Sequence, residues 1–344
     1  MASTGAKPGP TSGFQVSSFK CSVEANLSPA PGLKLETSNL NLLLAGHGYL
    51  GRKIAQVFLD TLWDVTAVAR SEPPGTDLGC GAPPRSVTDS PSGSITETAC
   101  DIGDSAAVSA LAAHLPRPDF IVHCASSSRG GPDAYRHVFL NGCRHLLAHF
   151  PGVPLLFTSS TSVYAQTDGS LVDEESPAEP TREIGRILLE TENLVLDHHG
   201  IVTRLAGIYG PGRSVILKKF LGGQAIIEED GRRFLNQIHR DDAAHAIHLL
   251  ASRGDEFHSS NSNPSIFNLA DSRPLSQLEC YTALAEMFGR PLPPSGSRDP
   301  KRKRGWTHKM VSNARLRATG WEPEFPSFLD AAGIVAGTIG TPPT

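Results

Sequence analysis

No two cysteines in this sequence stand at CxxC spacing. The six, Cys21, Cys80, Cys100, Cys124, Cys143 and Cys280, are scattered along the chain. That pattern excludes a zinc-ribbon site or a disulfide framework, and no metal site is expected; a reducing compartment is the default. No apolar run approaches the ~20 residues of a membrane-spanning helix, so no membrane role is expected. There is also no strong excess of charge: the formal net charge is −4, too small to suggest nucleic acid or an anionic membrane as partner. What is present is ample apolar material. With 344 residues and 39% hydrophobic content, the chain can build one large α/β domain, or a main domain with a smaller lobe.

Residues 1–37 also lack something. They are rich in Ser, Thr, Pro and Gly, contain no arginine, and carry no acid before Glu24. Residues 1–39 are therefore expected to be a disordered extension of a cytoplasmic protein. The alternative is an organelle transit peptide, which would place the protein in a plastid or mitochondrion.

The most informative stretch follows. An apolar run over residues 40–45 ends in Gly46-His47-Gly48-Tyr49-Leu50-Gly51, and residues 53–62 suit a helix. In such a turn the first glycine permits the strand-to-helix reversal. The second lets backbone approach a pyrophosphate, and the third lets helix pack on strand. The phosphates would sit against the unpaired N–H groups and positive dipole end of the helix. Strand before and helix after are the context such a motif requires.

Residues 65–69 alternate and are β-branched, so they read as the second strand. An acid at its end would bind the ribose 2′-hydroxyl of NAD; this strand ends in Arg70-Ser71. A guanidinium suits a 2′-phosphate, with Arg52 as a second candidate, so NADP is favoured over NAD. Residues 71–94 are a Pro/Gly/Ser-rich insertion with no assigned function. Strands are expected at 96–100, ending in Asp101-Ile102, and at 120–125, ending in Cys124-Ala125. Helices are expected at 106–115 and 133–149. The alternation predicts an α/β fold with a doubly wound parallel Rossmann sheet and a small C-terminal lobe. Ligands of such sheets lie at the carboxyl ends of the strands, where Gly46, Arg70, Asp101 and Ala125 fall.

The segment Ser159-Ser160-Thr161-Ser162-Val163-Tyr164 resembles that of the extended short-chain dehydrogenase/reductase superfamily, the NAD(P)-dependent epimerase/dehydratase group. Later segments agree: Arg204-Leu205 with Ile208-Tyr209-Gly210-Pro211-Gly212; Asn236-Gln237-Ile238-His239-Arg240-Asp241-Asp242; Phe267-Asn268-Leu269-Ala270; and Leu316 through Gly320-Trp321-x-Pro323. Tyr135, Val138 and Gly142 echo the helix of a YeeZ-type atypical branch. The resemblance covers residues 40–335. It implies a nicotinamide-binding domain at 40–210, a substrate lobe at 211–335 interleaved with the sheet, and a tail at 336–344. It also implies a small polar substrate, a sugar or sugar nucleotide among the options, and pairing of two subunits.

By that resemblance Gly46, His47, Gly48, Tyr49, Leu50, Gly51, Arg70, Asp101, Ile102, Cys124 and Ala125 are the expected cofactor residues. Ser160, Tyr164 and Arg186 are the expected catalytic ones. In the family a Tyr moves the proton while a Lys four residues on lowers its pKa. Aligning Glu190 with the acid that follows the Lys puts Arg186 at the Lys position and Arg182 at the Tyr position. Arg stays protonated and cannot act as acid and base near neutrality. The one Tyr-x-x-x-Lys of the chain, Tyr49 to Lys53, lies inside the glycine turn and reads as coincidence. Tyr164, Glu183 and His239 are the substitutes to weigh. The bases Arg213, Lys218, Lys219 and Lys301 to Arg304 could meet an anionic substrate. The reading is an oxidoreductase or epimerase, with a non-catalytic dinucleotide sensor as the alternative.

Overall fold

The computed structural model describes residues 39–70, 93–127, 130–254, 256, 265–298 and 306–339. The expectations for the N-terminal extension, the insertion after Arg70 and the basic run at Lys301 lie outside these residues.

Seven parallel strands make the central sheet: β1 (Asn41–Ala45), β2 (Asp64–Ala69), β3 (Ile95–Ala99), β4 (Phe120–His123), β5 (Leu155–Ser160), β6 (Ile201–Leu205) and β7 (Ile266–Leu269). Their order is β7-β6-β5-β4-β1-β2-β3. The inner strands are apolar and almost wholly buried, as helices on both faces require, whereas the edge strand β3 is largely exposed and correspondingly polar. The order reverses between β1 and β4, which pair in register with Leu44 beside Val122. A crevice opens at that reversal, outside the strand ends.

Helix α1 (Tyr49–Asp60) starts directly in the glycine turn and buries Leu50, Ile54, Val57 and Phe58, the apolar stripe of a surface helix. Helix α2 (Ser105–His114) is capped by Asp104, whose side chain accepts from the Ala106 N–H. The helix expected at 133–149 is not regular. Helix α3 (Pro132–Tyr135) runs into a π-helical segment, Arg136–Asn141, and continues as α4 (Gly142–His149). Val138, Phe139 and Leu140 are all buried. Helix α5 (Glu183–Asp197) begins after Arg182, whose backbone is extended (φ −98°, ψ 148°), so Pro180 and Thr181 precede it. A second apolar core, built on Tyr209, Leu217, Phe220, Tyr281, Leu284, Phe328 and Val335, gathers the helices Val215–Leu221, Gln277–Phe288 and Phe328–Thr338.

Beneath the strand ends lies a buried polar chain. The Arg204 guanidinium pairs with Glu192 (Nη2 to Oε2, 2.7 Å), and the Ser159 hydroxyl donates to the same carboxylate. Arg204 Nη1 donates to the Tyr164 hydroxyl at 2.8 Å, and that hydroxyl donates to Asn268 Oδ1 at 2.9 Å. The chain joins β5, α5, β6 and β7. Removing one member of such a pair strands a charge in the interior. Arg204→Met is therefore expected to lower the unfolding free energy by about 3–5 kcal/mol in a denaturant titration.

A second buried group sits by the C-terminal segment. Asp242 accepts from the N–H groups of Glu324 (2.8 Å) and Phe325 (3.1 Å). Nearby Asp271 is 4% exposed, and its Oδ1 has no partner among the described residues. Burial, and then the charges of Asp242 and Asp330, raise the Asp271 pKa well above its ordinary value of 3.8. A raised carboxyl contributes stability that is complete below the ordinary pKa and is lost as pH climbs through the folded one. Asp271→Asn is thus expected to gain on the wild type as pH rises from about 4 toward 8, read as the difference between their unfolding free energies.

Candidate functional site

The glycine turn is backbone packed on backbone. Gly46 has φ +116°, and a Cβ there would lie 2.3 Å from the Ala125 nitrogen. A Cβ on Gly51 would lie 1.9 Å from the Gly46 oxygen. Gly48 is different: a Cβ there would meet nothing within 4 Å. The first and third glycines are therefore fixed by the fold, while the second faces open space. Helix α1 has no acid in its first turn and no side-chain cap, so its first N–H groups and its positive end are left for an anion. These features fit a diphosphate.

The open space is a cleft at the strand ends with a cavity volume of about 240 Å³. Gly46, Gly48, Tyr49, Leu50, Gly51, Cys124, Ala125 and Ser160 all line it, so the structure brings these expected residues together. The Cys124 thiol donates to the Gly46 carbonyl at 3.1 Å. Burial pushes its pKa up to about 12, so it acts as a small packing group rather than a nucleophile.

Four expected residues lie off the cleft wall. Arg70 is exposed at the end of β2. His47 turns to Glu97 on β3, Nδ1 to Oε1 at 2.7 Å, a carboxylate that the sequence reading missed because its strand is the polar edge. Asp101 accepts from the Gly103 N–H (3.0 Å) and pairs with His137 (3.0 Å). Ile102 is buried, its carbonyl bonded to His145 Nδ1 at 3.0 Å. Asp101 and Ile102 thus hold the loop after β3 against the helix that begins at Pro132.

The catalytic expectations fare unevenly. Ser160 ends β5 in the cleft; its Oγ accepts from the Ser162 N–H at 3.2 Å, leaving the hydroxyl proton to give. Tyr164 is poorly placed to move a proton: the side chain is buried, its hydroxyl is bonded to Arg204 and Asn268, and burial raises its pKa. Its hydroxyl belongs to the core network, while the residue itself also lines a smaller pocket beside the cleft. Arg186 needs correction. It is exposed and donates to the Thr181 carbonyl (3.1 Å) on the outer face of α5. The residues that α5 turns into the cleft are Ile184 and Leu188, spaced four apart like the Tyr and Lys expected there. Of the proposed substitutes, Glu183 is exposed toward Arg136 (3.9 Å). His239 is buried with its pKa lowered to about 4, chiefly by burial, and it is not among the cleft residues.

A second, smaller pocket adjoins. Ser162, Tyr164, Pro180, Thr181, Arg182 and Ile184 line it, together with Trp306. Ser162 and Ile184 belong to both spaces. Sequence reasoning missed Ser162, although it stands two residues past Ser160 in the same hydroxyl-rich run. Of the suggested bases, Arg213 lines the cleft, while Lys218 and Lys219 point outward from the helix Val215–Leu221. No helix among the described residues is long and apolar enough to cross a membrane.

Comparison with known proteins gives the same architecture. Protein YeeZ of Escherichia coli (strain K12) is 28% identical over 291 residues, covering 82% of this chain and 95% of that protein. Among solved structures, MoeE5 in complex with UDP-glucose and NAD superposes with a TM-score of 0.67 at 18% identity, covering 87% of this chain and 98% of its own. The UDP-glucose 4-epimerase of Thermotoga maritima gives 0.64 at 18% identity, with 87% and 98% covered. These structural likenesses establish the fold. The profile of the NAD dependent epimerase/dehydratase family matches residues 42–270. That span runs from the second residue of β1 to the residue after β7 and takes in every strand of the sheet, and the chain belongs to this family.

Proposed function

We propose that the protein binds a nicotinamide dinucleotide in the cleft and acts as an oxidoreductase or epimerase on a small polar substrate held in the adjoining pocket. The observation that carries this reading is the meeting of the two spaces along Ser162 and Ile184, beside the hydroxyl of Ser160. The dinucleotide, when bound, supplies a carbon that accepts or gives a hydride. The chain supplies the rest. Gly46 and Gly51 shape the turn, the first N–H groups of α1 receive the diphosphate, and Ser160 donates to an oxygen whose carbon changes oxidation state.

The neighbours support a sugar or sugar nucleotide as substrate: MoeE5 carries UDP-glucose and NAD, and the Thermotoga enzyme carries UDP-glucose. Trp306 offers a flat apolar face, and Ser162 and Thr181 offer hydroxyls, which suits a polyhydroxylated ring. Arg70, exposed at the end of β2, favours NADP; Glu97 beside His47 works against a 2′-phosphate, so the preference for NADPH over NADH is modest. Pairing of two subunits through their helices belongs to the same reading.

One observation favours a second reading. Ile184 and Leu188 occupy the cleft-facing positions on α5 and can neither move a proton nor hydrogen-bond a ribose. A protein that binds the dinucleotide without turnover, as a sensor of its level, fits that pair.

Titration of the purified protein with NADPH and NADH, followed by nucleotide fluorescence, is expected to give saturable binding. Gly48→Val should weaken both by at least about tenfold, since the added side chain fills the space before the helix N-terminus. Intact affinity in that variant would contradict the coenzyme site. A panel of sugars and sugar nucleotides separates the two readings. For the enzyme, Ser160→Ala lowers kcat by about 100-fold at unchanged coenzyme affinity; for the sensor, the wild type binds but turns over nothing.

A further inference from the structure

We infer that Arg213 is a latch for the coenzyme diphosphate, supplied from the far side of the cleft by the loop that leads into the C-terminal lobe. The inference rests on the coenzyme reading above and adds a residue to it. Residues Gly210-Pro211-Gly212-Arg213 form a tight loop. Gly210 (φ +150°) and Gly212 (φ +72°) take the left-handed turns, and Gly210 and Arg213 exchange backbone hydrogen bonds of 2.9 Å in both directions. Ser214 then caps the helix Val215–Leu221, accepting from the Leu217 N–H at 3.2 Å.

This loop is held from two sides. The Gly212 N–H donates to Thr338 Oγ1 at 2.8 Å, at the last turn of the helix Phe328–Thr338. The Tyr49 hydroxyl donates to the Pro211 carbonyl at 3.1 Å. Tyr49 is the first residue of α1, so the loop is fastened to the anion-binding turn itself. Burial pushes the Tyr49 pKa up to about 12, which keeps that hydroxyl a donor across the neutral range.

The Arg213 guanidinium lies over the Tyr49 ring, 5.1 Å from its centroid, and lines the cleft with Gly46, Gly48 and Ala125. Its neighbours differ from it in one respect. Arg240, 5.2 Å from the same ring, is neutralised by Asp241 at 2.7 Å, and Lys53 reaches the same carboxylate at 3.4 Å. Arg213 makes no ion pair among the described residues. It is a permanent charge with no counterion among the described residues, beside a helix N-terminus and over an open cleft. A planar donor fork in that position matches two phosphate oxygens. The group it takes is the diphosphate, which both nicotinamide dinucleotides and ADP-ribose carry.

The test uses the full chain and equilibrium binding, with no turnover required. NADH, NADPH and ADP-ribose are titrated into wild type, Arg213→Lys and Arg213→Ala, at low and at high salt. Arg213→Ala is expected to weaken all three ligands alike by about tenfold or more, with Arg213→Lys in between and with a shallower salt dependence than the wild type. Arg213 is exposed, so thermal unfolding of the variants should match the wild type. Equal affinity of wild type and Arg213→Ala would overturn the latch while leaving the coenzyme site standing. A loss of NADH binding with ADP-ribose binding kept would place the guanidinium at the nicotinamide end and overturn the diphosphate assignment. Failure of the wild type to bind any of the three would remove the coenzyme reading and the latch with it.

Discussion

Two missing side chains set the geometry of this protein. At Gly46 and Gly51 main chain lies against main chain at distances no Cβ allows, 2.3 Å to the Ala125 nitrogen and 1.9 Å to the Gly46 oxygen. The ends of β1 and β4 are thereby held together at the strand-order reversal, and α1 starts close above them. The opening that results is lined by N–H groups with no intrahelical partner. Cys124 fits beneath because its thiol is small and its one hydrogen bond goes to the Gly46 carbonyl. A larger residue at any of these places would move the helix, and with it the Tyr49 contact to the Pro211 loop.

The parts of the architecture legible in the sequence are those whose signal is local. The glycine turn, the buried strands and the edge strand follow from spacing and polarity within a few residues, and the parallel sheet follows from their alternation. The phase of α5 was harder. Anchoring it on Glu190 assigned Arg182 and Arg186 to the catalytic positions, whereas the cleft meets Ile184 and Leu188. The error is two residues, about 200° of helix rotation, enough to exchange one face for the other. A better signal lay in the apolar spacing of Ile184, Ile187, Leu188, Thr191 and Val195, which marks the inward face without reference to any relative. The commitment of the Tyr164 hydroxyl is illegible for another reason. Its position beside Ser160 was readable, but its fate depends on Arg204 and Asn268, 40 and 104 residues further on. Nothing near Tyr164 in the sequence announces them.

The corrected face of α5 changes the chemistry that the cleft can support. A Tyr and Lys pair would contribute acid–base catalysis of about 10²–10⁴-fold; two aliphatic side chains contribute none. Their effect on the neighbouring hydroxyls is not neutral, however. Ile184 and Leu188 present apolar surface to the cleft that Ser160 also lines, and hydrogen bonds strengthen as the local dielectric falls. On the proposed reading the site would orient and polarise a substrate oxygen through Ser160 while α5 offers no group to take its proton. A substrate that carries its own proton acceptor, or an oxygen open to solvent along the pocket lined by Ser162 and Thr181, would suit such a site better than a plain alcohol.

Charge is distributed to match. Around Tyr49 three cations approach the phosphate end of the cleft, and one carboxylate, Asp241, offsets two of them. On the adenosine side His47 lies 2.7 Å from Glu97, but burial lowers the His47 pKa, so the imidazole does not neutralise that carboxylate near neutral pH. The positive charge along the cleft is thus gathered over the first turn of α1, and a carboxylate stands on the side where the adenosine would lie. Such a gradient binds the group common to NAD and NADP more firmly than the one that distinguishes them. On the proposed coenzyme reading, affinity would be set by the diphosphate, and the choice between the two coenzymes would fall to the exposed guanidinium groups of Arg70 and Arg52, in competition with the carboxylate of Glu97.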